Sequence, residues 1–190
     1  MKNSSKLLII AATLTMLQGC VTAAVVGVVG GAVVANDNRS VGQQIDDQNI
    51  EIKAMAEIAK QDALTEGSRI KVVSLNGRIL VVGQAKNEYV RDLAIKTVNN
   101  IEGVNQVYNQ LRIGNETSVT TQSNDVWLTS KVKTALFADE NIDATNIKVV
   151  TENGEVFLMG LVAQTQANAA VEVARNISGV NRVFKAFEYL

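Results

Sequence analysis

Hydrophobic and polar positions along the chain fall into two series that repeat at a nearly fixed separation. Ile70-Lys71-Val72-Val73-Ser74-Leu75-Asn76-Gly77-Arg78 returns as Ile147-Lys148-Val149-Val150-Thr151-Glu152-Asn153-Gly154-Glu155. Gly83 returns as Gly160, Gly103-Val104 as Gly179-Val180, and Val107 as Val183. The pattern is an internal duplication of units of roughly 65 residues, near the lower limit for independent folding. Within each unit, Asn-Gly between two β-rich runs predicts a hairpin, because a type I′ turn needs positive φ at both central residues. Arg69–Leu75 is expected to pair with Arg78–Gly83, and Asn146–Glu152 with Glu155–Gly160. A helix opens each unit, from about Asp47 to Gln61 and from about Asp125 to Ala138. Ile50, Ala54 and Ile58, opposite Leu128, Val132 and Leu136, form its packing stripe. A second helix follows, with Val90, Leu93, Ala94, Val98 and Ile101 on one face, or Ala170, Val173, Ala174 and Ile177. Gly103 and Gly179 are read as its left-handed caps, before a last strand from Val104 to Ile113 or from Val180 to Tyr189. The order α-β-β-α-β predicts an α+β fold, with two helices on one face of each three-stranded sheet.

Ahead of the repeats the pattern changes. Lys2 and Lys6 precede an apolar run from Leu7 to Leu17, too short to span a bilayer and suited to a secretory signal. The run ends in Leu17-Gln18-Gly19-Cys20, a lipobox around the one cysteine of the chain. Cys20 is therefore the expected lipidation site, and several acyl chains at about 0.8 kcal/mol per methylene hold a protein on a membrane. Val21 and Thr22 follow in place of a retention Asp, which points to the inner leaflet of the outer membrane. The apolar, Gly-rich stretch 21–35 reads either as a tether along the interface or as a segment packed on a folded domain, the tether being preferred. The expected organisation is a signal peptide (1–19), a lipidated N-terminus and tether (20–45), a first domain (46–113), a polar link (114–124) and a second domain (125–190).

Composition removes most chemistry. With no histidine and a single cysteine, His-based acid–base work, Cys/His nucleophile pairs and most zinc sites are excluded. No Gly-rich phosphate loop occurs, and no cofactor is implied. Asp46-Asp47, Asp139-Glu140 and Asp37 near Arg39 read as caps or dipole partners at loops and helix starts. A net charge of −1 argues against nucleic acid as a partner. No enzyme is expected.

Each α-β-β-α-β unit, with its Asn-Gly hairpin and its Gly-Val before the last strand, resembles a BON domain. The likeness is closest in residues 151–162 and in Ser123-Asn124-Asp125-Val126-Trp127. Two such domains behind a lipobox resemble the dual BON-domain outer-membrane lipoproteins. That resemblance implies binding of anionic phospholipid, mainly phosphatidylglycerol, by the second domain. It also implies a role in envelope integrity and enrichment at the division site.

Comparison of the two opening helices gives the binding residues a physical basis. At 100° per residue Trp127 points roughly 130° from the packing stripe. Ser130, Thr134 and Phe137 also point outward, and Lys131 and Lys133 lie on the flanks. The first copy has Asn49, Ala59, Lys53 and Met55 at the matching positions. Trp for the interface, Phe for insertion and Lys for phosphate compose a membrane-surface helix. The competing reading is that Trp127 and Phe137 cover the junction between the domains. Arg175 and Arg182 read as a basic rim or a solvated face, and Tyr89 and Tyr108 as core or edge packing. The alternative function is a periplasmic protein-interaction or chaperone-like module using the same helix, with envelope proteins as partners. An envelope hydrolase would need a buried carboxylate pair on facing elements, which the sequence does not place.

Overall fold

Both Asn-Gly pairs adopt the conformation that their hairpins demand. Asn76 and Gly77 have φ of 54° and 71°, and Asn153 and Gly154 of 51° and 74°, as a type I′ turn requires. The computed structural model describes residues 41–190. Cys20, the signal segment, the stretch 21–35 and Asp37 with Arg39 lie outside the described residues. The first repeat comprises α1 (Val41–Ala59), α2 (Asp62–Thr65), β1 (Arg69–Leu75), β2 (Arg78–Ala85), α3 (Glu88–Asn99) and β3 (Gln106–Ile113). The second comprises α4 (Val119–Ala138), a 3₁₀ turn at Ala144–Asn146, β4 (Ile147–Glu152), β5 (Glu155–Val162), α5 (Gln164–Arg175) and β6 (Arg182–Tyr189).

Each sheet is three-stranded, with the hairpin antiparallel and the third strand parallel to the second. The central strand lies between a tight turn and a helical crossover, the connections that antiparallel and parallel neighbours need. Ile50, Ala54 and Ile58 of α1 and Val90, Ala94 and Val98 of α3 bury one face of the first sheet. Val132 and Leu136 of α4, with Ala167, Ala170 and Ala174 of α5, do the same for the second. The expected packing stripes are therefore the observed ones.

The opposite sheet faces are not solvated. Leu75, Leu80 and Val82 pack against Phe157, Met159 and Ala186, so the repeats stack as helices, sheet, sheet, helices. This explains the unbroken apolar runs Ile79–Val82 and Val156–Met159, since a strand covered on both sides need not alternate. All three cores draw on residues 50–187. The compact unit Asp37–Leu190 thus contains the apolar core that its fold requires.

The junction has approximate two-fold character. Tyr108 and Phe184 occupy equivalent positions in the repeats, and their rings meet edge-on at 6.1 Å. Lys71 reaches the end of β4, where it donates to Glu152 at 2.8 Å. Its counterpart Lys148 reaches the end of β1, where it donates to the Ser74 carbonyl at 2.9 Å. Arg78 pairs with Glu188 at 3.5 Å, and the equivalent contact, Glu155 with Arg112 at 2.9 Å, has its charges reversed. Two first repeats facing each other would oppose Arg78 to Arg112, and two second repeats Glu155 to Glu188. The charge pattern favours the mixed pair and disfavours either copy with itself.

Several local expectations are corrected. Both opening helices start about six residues earlier than the sequence suggests. Asp46 and Asp47 therefore lie inside α1, not at its start, and Asp47 is buried. Residues 119–124, read as part of the link, form the first turns of α4. They are poor helix formers, but Ser118 caps them by accepting from the Thr121 N–H at 3.1 Å. Ser118→Ala is expected to cost about 1 kcal/mol, seen as a fall of roughly 2–4 °C in the thermal unfolding midpoint. Gly83 and Gly160 do not end their strands, which run on to Ala85 and Val162. Gly103 and Gly179 lie four residues beyond their helices. They take positive φ in turns closed by Val104 N–H to Ile101 O and by Val180 N–H to Ile177 O, where a third residue with positive φ is required. Tyr89 is exposed at the start of α3 rather than packed.

Candidate functional site

Helix α4 carries the sequence-derived residues, and its geometry follows from what holds its inner side. Leu128, Val132 and Leu136 are buried. Asp125, about one turn before Leu128 and also buried, accepts from the N–H groups of Asn153 and Gly154 at 2.7 and 2.8 Å. Asp47 fastens the first hairpin in the same way, accepting from Asn76 N–H, Gly77 N–H and the Ser74 hydroxyl. Each buried aspartate thus serves its own Asn-Gly turn. With its inner side fixed, α4 presents the remaining face outward.

That face is apolar for a surface helix. Trp127 is 67% exposed and Phe137 63%, and neither takes part in the junction between the sheets. Ser130 and Thr134 lie beside them, both exposed, with the Ser130 hydroxyl donating to the Val126 carbonyl at 3.1 Å. Lys133 is exposed and makes no ion pair with another described residue. Lys131 is half-buried, and its ammonium donates to the Ser178 carbonyl at 2.7 Å. The two lysines therefore differ: Lys133 is available and Lys131 is partly engaged. Arg175 and Arg182 are engaged too, with Glu172 and Glu155.

Sequence reasoning missed two members of this face. Val119 and Val126 are 78% and 69% exposed. They sit seven residues apart, in the row that continues through Ser130, Lys133 and Phe137. The row extends about 27 Å, from Val119 to Phe137 at 1.5 Å per residue. Reading residues 119–124 as a link hid its first third. The first copy is also less bland than its aligned residues suggest, because α1 exposes Ile45, Ile52 and Met55. That row has no aromatic ring.

No helix among the described residues is long and apolar enough to cross a membrane. Among the same residues, no group of three or more acidic or cysteine side chains is placed to hold a metal.

Comparison with known proteins agrees with this architecture. The BON domain family matches residues 46–115 and 124–190. The chain is 45% identical over 185 residues to the outer membrane lipoprotein DolP of Haemophilus influenzae, covering 97% of this chain and 96% of the relative. It is 42% identical to a 21 kDa hemolysin of Actinobacillus pleuropneumoniae, over 81% of this chain and 79% of that protein. Osmotically-inducible protein Y of Escherichia coli is 30% identical, over 80% and 77% respectively. One of these relatives is named as an outer membrane lipoprotein and another as osmotically inducible, and no catalytic family is indicated. With two matches spanning both repeats and a relative aligned over nearly its whole length, the chain belongs to the BON domain family, as a tandem pair.

Proposed function

We propose that this is a non-catalytic lipoprotein, anchored through Cys20 in the inner leaflet of the outer membrane and facing the periplasm. The second BON domain binds anionic phospholipid, phosphatidylglycerol in the first place, and the protein maintains outer-membrane integrity at the division site. The observation that carries this reading is the outward row of α4. Trp127, Phe137, Val126 and Val119 offer apolar area to a bilayer while Lys133 stands free beside them. The lipobox at Cys20 and the relative named as an outer membrane lipoprotein support the anchoring.

The magnitudes fit an anchored protein. An inserted Trp or Phe contributes about 1.5–3 kcal/mol and each Lys near an anionic surface about 1 kcal/mol. Such a face gives measurable binding to vesicles in excess, and a lipid anchor strengthens it by keeping the domain at the bilayer, where effective concentration replaces diffusion.

Trp127 is the only tryptophan, so its emission reports on this face alone. The unlipidated segment Asp37–Leu190 is expected to show a blue shift with phosphatidylglycerol vesicles, lost at high salt, and none with phosphatidylcholine. An unchanged spectrum with both lipids would overturn the reading and leave α4 to a protein partner.

A further inference from the structure

Beside the first turns of α4 runs a groove of about 390 Å³ that both domains line. Val119, Gln122, Ser123 and Val126 form one wall, and Arg69 and Lys71 of β1 stand across it. We propose that the first BON domain supplies the headgroup subsite of the lipid face: Arg69 and Lys71 bind the phosphate of an anionic phospholipid whose acyl chains run along α4. This rests on the lipid-binding reading above and assigns the first domain a part in it.

Charge is distributed unequally across the groove. Two carboxylates lie nearby, and both are buried and committed. Asp125 is bonded to the Asn153–Gly154 turn. Glu152, with a side chain 5% exposed, is held by Arg69 and Lys71. The Lys71 side chain is 36% exposed. Only the Nη1 group of Arg69 is engaged by Glu152, and Lys71 makes a single bond there. A guanidinium has five N–H donors and an ammonium three. The Nε and Nη2 groups of Arg69 and two donors of Lys71 therefore meet no acceptor among the described residues. The groove keeps its two carboxylates inside and leaves cationic donors of Arg69 and Lys71 uncommitted, which suits a phosphodiester.

The other repeat gives an internal control. Thr129 of α4 aligns with Glu51 of α1. Glu51 accepts from Lys148 at 2.9 Å and from the Ser74 N–H at 2.7 Å, so a carboxylate occupies the matching corner. Thr129 instead donates to the Thr151 hydroxyl at 2.7 Å and offers Lys71 no negative charge. Arg69 aligns with the uncharged Asn146. The cation pair is thus confined to the side where α4 exposes Val119 and Val126.

The test is binding of Asp37–Leu190 to phosphatidylglycerol vesicles. Lys71→Gln leaves the Arg69–Glu152 pair in place and is expected to weaken binding about fivefold, the effect of one charge at an anionic surface. Lys71→Arg should bind within about twofold of wild type, and Ser123→Lys about fivefold more tightly. Lys96→Gln, on the outer side of the first domain, should change nothing. Wild-type affinity in Lys71→Gln, or equal weakening in Lys96→Gln, would overturn the groove and leave binding by α4 intact. Failure of the wild type to bind at all would overturn both readings. Inorganic phosphate, titrated without vesicles, separates the sources. If it perturbs Lys71 in NMR spectra while vesicle binding ignores Lys71→Gln, the site takes free phosphate and the lipid assignment falls.

Discussion

Glu152→Ala is expected to cost about 3–5 kcal/mol, the usual consequence of removing one partner from a buried ionic group. The Glu152 carboxylate receives Arg69 Nη1 at 2.8 and 2.7 Å, Lys71 Nζ at 2.8 Å and Gln84 Nε2 at 3.0 Å. All three donors come from the first domain, so the substitution strips charge compensation from the junction between the sheets. Urea denaturation should show a lower midpoint, and thermal unfolding should begin roughly 10 °C earlier. A midpoint within about 2 °C of wild type would mean that the apolar contact of the sheets alone holds the domains together.

The same residue makes the difference depend on pH. Burial acts to raise the Glu152 pKa, but the hydrogen bonds from Lys71, Gln84 and Arg69, with the charge of Lys71, outweigh it and leave it lowered. A carboxylate with a lowered folded pKa stabilises fully above its unfolded value of about 4.3. That contribution disappears as pH falls through the folded value. Wild type and Glu152→Ala should therefore differ most near neutrality and converge in acid. A gap that stays constant into acid would assign the loss to packing instead of charge.

How far the sequence reaches can be judged at this junction. The duplication, both Asn-Gly hairpins and the inner stripes of α1 and α4 were legible, because each depends on local periodicity or turn chemistry. The stacking of the two sheets was not anticipated, although its trace was present. Ile79–Val82 and Val156–Met159 fail to alternate, and Glu152 stands where the first repeat has Leu75. A strand covered on both faces and a charge at an otherwise apolar position both signal a partner, but neither names it. Pairing Glu152 with Arg69 and Lys71 requires knowing which faces meet, and that is long-range information. The outer face of α4 was legible from Trp127 to Phe137, since helical angles alone direct those residues outward. Val119 was missed because the start of the helix depends on the Ser118 cap and on packing, not on propensity. Val126 lay inside the expected helix, and its outward angle went unread beside Trp127. Exposure of Trp127 and Phe137 also removes the alternative that placed them between the domains.

Gly83→Ala is expected to be the most damaging single-methyl change in the first domain, at about 4 kcal/mol or more, because strain and collision combine. Gly83 lies within β2 at φ 123°, a conformation that side chains rarely adopt. A Cβ there would sit 1.9 Å from the Arg69 carbonyl oxygen. Gly83 faces Ile70 in the β1–β2 ladder, so the strands would have to separate where β1 presents Arg69 to the groove. Gly160→Ala offers the matched comparison in the second domain. Its Cβ would approach the Asn146 carbonyl oxygen at 2.5 Å, with no positive φ to add strain. The first substitution should therefore lower the unfolding midpoint more than the second, as read by circular dichroism on both variants. If Arg69 is a headgroup ligand, Gly83→Ala should also weaken vesicle binding at temperatures where the protein remains folded, while Gly160→Ala should not. Equal midpoints for the two would show that β2 relieves the clash by shifting, and that the close backbone approach at Gly83 is not required.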